Sequence, residues 1–223
     1  MISTIINGKI PGPNGRPIVY DFFFELNRSK APIVIFCHGY KGYKDWGPWS
    51  LFAKDYASQG IAFFKFNFSY NGGTAENPID FPDLEAFGQN NYTKELQDLE
   101  CVINWLTTHQ STNSALDTNT IILMGHSRGG GIALIKASED SRIRKVITLA
   151  GVSDYKSRFP EKQVLKAWAS SGMYYVKNKR TRQQMPHCYQ FYEDFIAHEE
   201  RLTISKSVKG LQIPYLSVHG AED

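Results

Sequence analysis

The sequence predicts an α/β protein built on a mainly parallel, doubly wound sheet, and three observations carry that expectation. Short apolar runs that end at glycine alternate with segments of helical spacing. Those runs are continuous rather than alternating, as expected of strands buried on both faces. And one strand-like run, "NTIILMG", feeds directly into a helix through the glycine-dense stretch "HSRGGG".

Taken in order, residues 2–10 and 17–26 read as two strands joined by a turn rich in Pro, Gly and Asn. "APIVIFCHG" is a buried strand, "WGPWSLFAKDYASQG" a helix closing on Gly60, and "IAFFKFNFS" another strand. In "NNYTKELQDLECVINWLTTH", Leu96, Leu99, Val102, Ile103 and Leu106 fall on one helical face. "NTIILMG", "SRGGGIALIKASED" and "RKVITLAG" follow as strand, helix and strand, and "QIPYLSVHG" is a further strand. Strand–helix–strand alternation of this kind gives a parallel sheet with helices on both faces. Ligands of such sheets bind beyond the carboxyl ends of the strands. Residues 155–211 break the rhythm: the stretch reads as a helical, aromatic-rich cap insertion without a clear strand. The core is expected from residues 1–154 and 212–223.

Composition narrows the function classes. The chain has 223 residues, 42% hydrophobic, enough for one sizeable core, and a net charge of +3. That mild basicity comes without a nucleic-acid reading motif, so no nucleic-acid partner is expected. No apolar run approaches the roughly 20 residues of a membrane span, and no basic-then-apolar leader opens the sequence, which implies no membrane partner and a cytoplasmic protein. Cys37, Cys101 and Cys188 are odd in number and widely spaced; reduced thiols, no metal site and no cofactor are expected.

The glycines around Ser127 point to chemistry. Each interior helical glycine costs about 0.5–1 kcal/mol relative to alanine, and a sharp strand-to-helix reversal offsets that cost. Gly125 and Gly129 flank Ser127 where any Cβ would collide across the bend, and the bend lifts the serine hydroxyl to the top of the sheet. Gly130 and Gly131 let the new helix press on neighbouring strands. The helix N-terminus leaves the Arg128 N–H without an intrahelical partner. After the third strand, "HGYKG" offers the Tyr40 N–H as a second donor.

Together "GHSRGG", "HGYKGYKDWG" and "HGAED", each after a strand, resemble the α/β-hydrolase superfamily over most of the chain. "FCHGYKGYKDWG" and "FNFSYNGG" are more similar still to bacterial dienelactone-hydrolase-like and serine aminopeptidase-like enzymes. The resemblance implies an α/β-hydrolase fold with a nucleophile at Ser127, oxyanion-hole N–H groups at Tyr40 and Arg128, and a histidine-orienting acid at Asp223. Asp154, also just past a strand, is a rival for that acid. The family's chain order is serine, acid, histidine, so the chain is expected to be C-terminally truncated before its catalytic histidine and to turn over little. Of the six histidines, His126 is expected to point away from Ser127, His38 to shape the oxyanion loop, His219 to end a strand and His109 to be solvated. His187 and His198 lie in the insertion.

The function this implies is a serine hydrolase that cleaves a carboxylic ester, or a thioester or amide, of a small-molecule acyl substrate through an acyl-enzyme. The alternatives are a non-catalytic binding or scaffold protein and a peptidase; an edge left bare by a missing last strand would favour a homodimer. The basic run "KNKRTRQQ" reads as a solvated face or as an anion-attracting lid. The aromatics of the insertion (Trp168, Tyr174, Tyr175, Tyr189, Phe191, Tyr192) read as a satellite core or a pocket wall. Lys41, Lys44 and Arg128 near the expected mouth would favour an anionic substrate.

Overall fold

In a computed structural model, residues 1–13 and 15–222 are described. Strands β1 (Ile2–Ile10), β2 (Ile18–Glu25) and β3 (Ala31–Cys37) lead to helix α1 (Trp49–Ser58), then to β4 (Ala62–Phe66). The short helix α2 (Leu84–Gly88) and the long α3 (Tyr92–His109) precede β5 (Leu116–His126), α4 (Arg128–Glu139) and β6 (Ile143–Leu149). A 3-10 turn (Lys156–Arg158), α5 (Lys162–Ser171), β7 (Met173–Lys177), β8 (Gln184–Cys188), α6 (Gln190–Ala197) and α7 (Ile204–Gly210) lie before β9 (Tyr215–Val218).

Seven strands form the main sheet in the order β1-β2-β4-β3-β5-β6-β9. β4, β3, β5, β6 and β9 run parallel, while β1 and β2 add an antiparallel edge. The other edge is β9, whose Tyr215, Leu216 and Val218 are exposed.

The continuous apolar run of β3 follows from burial on both faces. Ile33, Ile35 and Cys37 pack on the α3 and α4 side, and Val34 and Phe36 on the side of Trp49, Ala53 and Ala57 in α1. On α3, the five residues singled out by spacing are all fully buried. Each contributes about 1.5–3 kcal/mol relative to an exposed position. Asn91 caps this helix, its side chain accepting the Lys94 N–H at 2.8 Å.

Charge is buried beneath the loop after β3. Asp21 of β2 pairs with Lys44 at 2.8 Å and with Lys65 of β4 at 2.7 Å, and both lysines also reach Asp45. Lys44, Lys65 and Asp21 are each at most 2% exposed. This corrects the expectation for Lys44, which anchors the loop from within the core and does not stand at a pocket mouth.

Residues 155–211 also depart from expectation. The stretch contains an antiparallel hairpin, β7 pairing with β8 from Met173↔Cys188 to Lys177↔Gln184, where a strandless cap was expected. Its last helix, α7, packs on α4, with Ile204 in the main core. Part of the stretch thus completes a sheet face, while the hairpin and α5 stand over the strand ends.

Candidate active site

The bend between β5 and α4 is the centre of the site. Ser127 has φ 51° and ψ −118°, a left-handed conformation that favours glycine and costs a side-chain-bearing residue energy. Close approaches hold it there. The Ser127 N–H donates to Leu149 O at 3.0 Å, and its carbonyl accepts from Gly130 N–H at 3.0 Å and Val152 N–H at 3.2 Å. A Cβ on Gly125 would run into Gly129 O, and one on Gly129 into the carbonyls of Cys37 and His38. The glycines therefore press α4 against both its own strand and the end of β3. Gly130 meets Gly151 at the end of β6, where an added Cβ would lie 3.0 Å from Gly151 Cα. Gly131 instead makes room for Tyr155 and Ile204 of the following segment, not for a strand as expected.

The loop after β3 abuts the bend. A Cβ on Gly39 would lie 3.1 Å from Ser127 Cβ, so the next amide, that of Tyr40, belongs to the same neighbourhood. Among the described residues, neither the Tyr40 N–H nor the Arg128 N–H has a hydrogen-bond partner.

His38 fixes this loop. Burial, the largest influence, lowers its pKa to about 4, so the ring is neutral at pH 7. Its Nδ1–H donates to Gly39 O at 2.9 Å, and its Nε2 accepts the Phe68 N–H at 3.2 Å. Both nitrogens are engaged, which leaves His38 no role as a base. His126 stacks on Trp46 at 5.9 Å and lies 5.2 Å from the Trp49 ring. His109 lies against Trp105, and His198 is exposed beside Asp194.

A cavity of about 360 Å³ opens at Ser127. Tyr40, Arg128 and Tyr155 line its inner side, and Trp168, Tyr174, His187 and Phe191 form the wall contributed by residues 155–211. The aromatics of that stretch thus serve in both capacities considered from the sequence: Trp168 and Phe191 are also part of the core. Tyr175 stays exposed.

His187 is the residue of the site that sequence reasoning placed least well. It sits on β8, and its Nε2 shares a hydrogen bond with the Tyr40 phenol at 2.7 Å. Burial, then Arg128 and Lys41, lower its pKa to about 3, while burial raises that of the Tyr40 phenol. Both groups are therefore neutral at pH 7. The β-branched and aromatic run "MYYVK" was the available strand signal for this hairpin.

Arg128 sends its side chain inward. The guanidinium lies 4.5 Å from the Tyr92 ring centre and 4.9 Å from that of Phe191, with Glu95 Oε1 3.2 Å from Nη2. Tyr155 donates its O–H to Arg128 O at 2.8 Å.

The candidate acids fare differently. Asp223 lies outside the described residues. Asp154 is exposed, and its oxygens accept the N–H groups of Lys156 at 3.1 Å and Ser157 at 2.7 Å, which makes it the cap of the 3-10 turn. Lys41 donates to Lys177 O on the hairpin, and Arg180 of the basic run pairs with Asp80. Among the described residues no group of three or more His, Cys, Asp or Glu could hold a metal, and no helix is long and apolar enough to cross a membrane.

The chain is similar to several known proteins. Over 124 residues it is 24% identical to the quorum-quenching protein AidA of Acinetobacter baumannii (strain MDR-ZJ06), a match covering 56% of this chain and 36% of that protein. The chain thus spans little more than a third of that relative. A putative hydrolase from Agrobacterium vitis S4 superposes with a TM-score of 0.66 at 17% identity, over 99% of this chain and 91% of that one. Est1E from Butyrivibrio proteoclasticus gives 0.64 at 15% identity, over 97% and 79%. DcsB, solved with a substrate analogue, gives 0.66 at 14% identity, over 99% and 90%. These likenesses show a shared α/β-hydrolase fold. Residues 21–223 match the BD-FAE family, and the chain belongs to that family of α/β-hydrolase-fold proteins.

Proposed function

We propose that this protein is a serine hydrolase that cleaves a carboxylic ester, or a related thioester or amide, through an acyl-enzyme on Ser127. The observation that carries the reading is the strained serine at the β5–α4 bend, opening into a cavity beside two amide N–H groups that have no partner among the described residues. A neutral hydroxyl needs a proton acceptor to attack. His38 is engaged through both ring nitrogens and His187 through Nε2, and the reading assigns the base to a histidine that Asp223 orients. Ser127 Oγ adds to the substrate carbonyl, and the Tyr40 and Arg128 N–H groups receive the negative charge that develops on its oxygen. Each such donor is typically worth about 2.7–4 kcal/mol in the transition state. The ester C–O bond then breaks and the alcohol leaves with the proton. Water repeats the sequence, releasing the acid and restoring Ser127.

The test is labelling of the protein, as its gene encodes it, with a fluorophosphonate probe, mapped by mass spectrometry. Modification at Ser127 that disappears in Ser127→Ala supports the reading. A folded protein left unlabelled refutes it and favours the non-catalytic alternative. Rates on p-nitrophenyl esters against aminoacyl p-nitroanilides separate esterase from peptidase.

A further inference from the structure

The cavity beside Ser127 has a charge character that acyl transfer does not use. The Arg128 side chain is nine-tenths buried, yet Nε and Nη2 make no hydrogen bond among the described residues. Nη2 faces Glu95 Oε1 across 3.2 Å without meeting it along an N–H direction. Glu95 is the carboxyl group that faces it. Burial holds its carboxyl above the usual carboxylate range, although Arg128 opposes this, and its Oε2 also lacks a partner. Burial works against charge on Arg128 as well, but Glu95 and the surrounding tyrosines hold its pKa above the ordinary arginine value. A permanent cation thus stands in the wall of the cavity, its buried Nε and Nη2 without hydrogen bonds among the described residues. Arg158 lines the same cavity, and among the described residues no aspartate or glutamate does. The same wall carries Tyr92, Phe191 and Trp168.

Buried polar groups in native proteins find partners, and a guanidinium fork matches a carboxylate better than any neutral group. Resting on the hydrolase reading, we propose that the cavity takes an ester whose acyl group ends in a carboxylate, received by Arg128 with Arg158 at the rim. The aromatic wall holds the carbon chain in between. Hydrolysis of such an ester breaks the acyl C–O bond, adds water across it, and yields an alcohol and a dicarboxylic acid.

Binding can be measured without turnover. Calorimetric titration at neutral pH with 4-phenylbutanoate and with 4-phenylbutanamide compares a carboxylate with a neutral group of the same shape. The carboxylate is expected to bind about tenfold more tightly, the difference between charge-assisted and neutral hydrogen bonds, and to lose that preference as salt is raised. Arg128→Met combined with Glu95→Gln removes both charges together and should abolish the preference. Arg158→Gln, at an exposed position, should reduce it and guards against a double variant that fails to fold. Equal affinities, tighter binding of the amide, no binding of either, or a preference that survives these variants would overturn the proposal. Protection of Ser127 from the fluorophosphonate by 4-phenylbutanoate links the two readings. Carboxylate binding without labelling removes the hydrolase reading and leaves the anion site, whereas labelling without a carboxylate preference does the reverse.

Discussion

Replacing Ser127 by glycine should make the protein more stable while removing the proposed nucleophile. The serine holds φ 51° and ψ −118°, a region in which a residue bearing a Cβ is strained by about 1–3 kcal/mol. Glycine adopts it freely but adds about 0.5–1 kcal/mol of chain entropy to the unfolded state. The net gain is about 1 kcal/mol. Ser127→Ala is the proper reference, because it removes the hydroxyl and keeps the Cβ. In a chain of 223 residues, 1 kcal/mol corresponds to a Tm difference of about 2–4 °C. Thermal unfolding and urea titration of the two variants, with equal m-values as the check on a common unfolded state, read the difference directly. A glycine variant no more stable than the alanine variant would show that the bend stores no strain, and would remove the argument that it is kept for the hydroxyl it presents.

Three further outcomes follow from the same geometry. Gly129→Ala would drive a Cβ into the Cys37 and His38 carbonyls, costing about 1–3 kcal/mol by overpacking and parting the loop after β3 from Ser127. Fluorophosphonate labelling should then fall at least about tenfold, while Gly210→Ala, where an added Cβ meets nothing within 4 Å, leaves it intact. Asp98 is pushed up to about 7, chiefly by burial and further by Glu95, against the hydrogen bonds from Ser69. The folded state therefore holds its proton more tightly than the unfolded state does. That contribution to stability is complete below the ordinary carboxylate pKa of about 4 and is lost as pH rises through about 7, a swing of at most about 4 kcal/mol. Asp98→Asn should flatten the pH dependence of the urea midpoint across this window, and an unchanged slope would count against it. Lys65→Met leaves Asp21, 2% exposed, with Lys44 as its remaining cation and should cost about 3–5 kcal/mol; adding Asp21→Asn should recover much of it in urea titrations.

Local signals explain which parts of this architecture were legible in the sequence. β3 was readable because a strand covered on both faces must be apolar at every position, and a glycine marks where it stops. The Ser127 bend was readable because only glycine tolerates the approach of Gly125 to Gly129, and of Gly129 to the end of β3. The β7–β8 hairpin escaped notice because β7 is only half covered and its turn is charged, so neither alternation nor a glycine turn announced it. The buried charges were invisible for another reason. Asp21 and Lys65 interrupt phenylalanine-rich strands, and their pairing exists only once β2 and β4 lie side by side with Tyr20↔Phe66 and Phe23↔Phe63 in register. For the same reason Lys44 read as a surface residue. The inward turn of Arg128 depends on Glu95, Tyr92 and Phe191, from two distant helices.

The bond between the Tyr40 phenol and His187 means that one residue answers to two masters. Its main chain belongs to the loop proposed to hold the oxyanion, and its ring reports the position of the hairpin that walls the cavity. Exchange of residues 155–211 for the corresponding piece of another family member would therefore shift the loop after β3 as well as the cavity wall. On the proposed function, grafts that restore a hydrogen-bond partner opposite Tyr40 should keep activity, and those that omit one should lose it even for substrates they hold well.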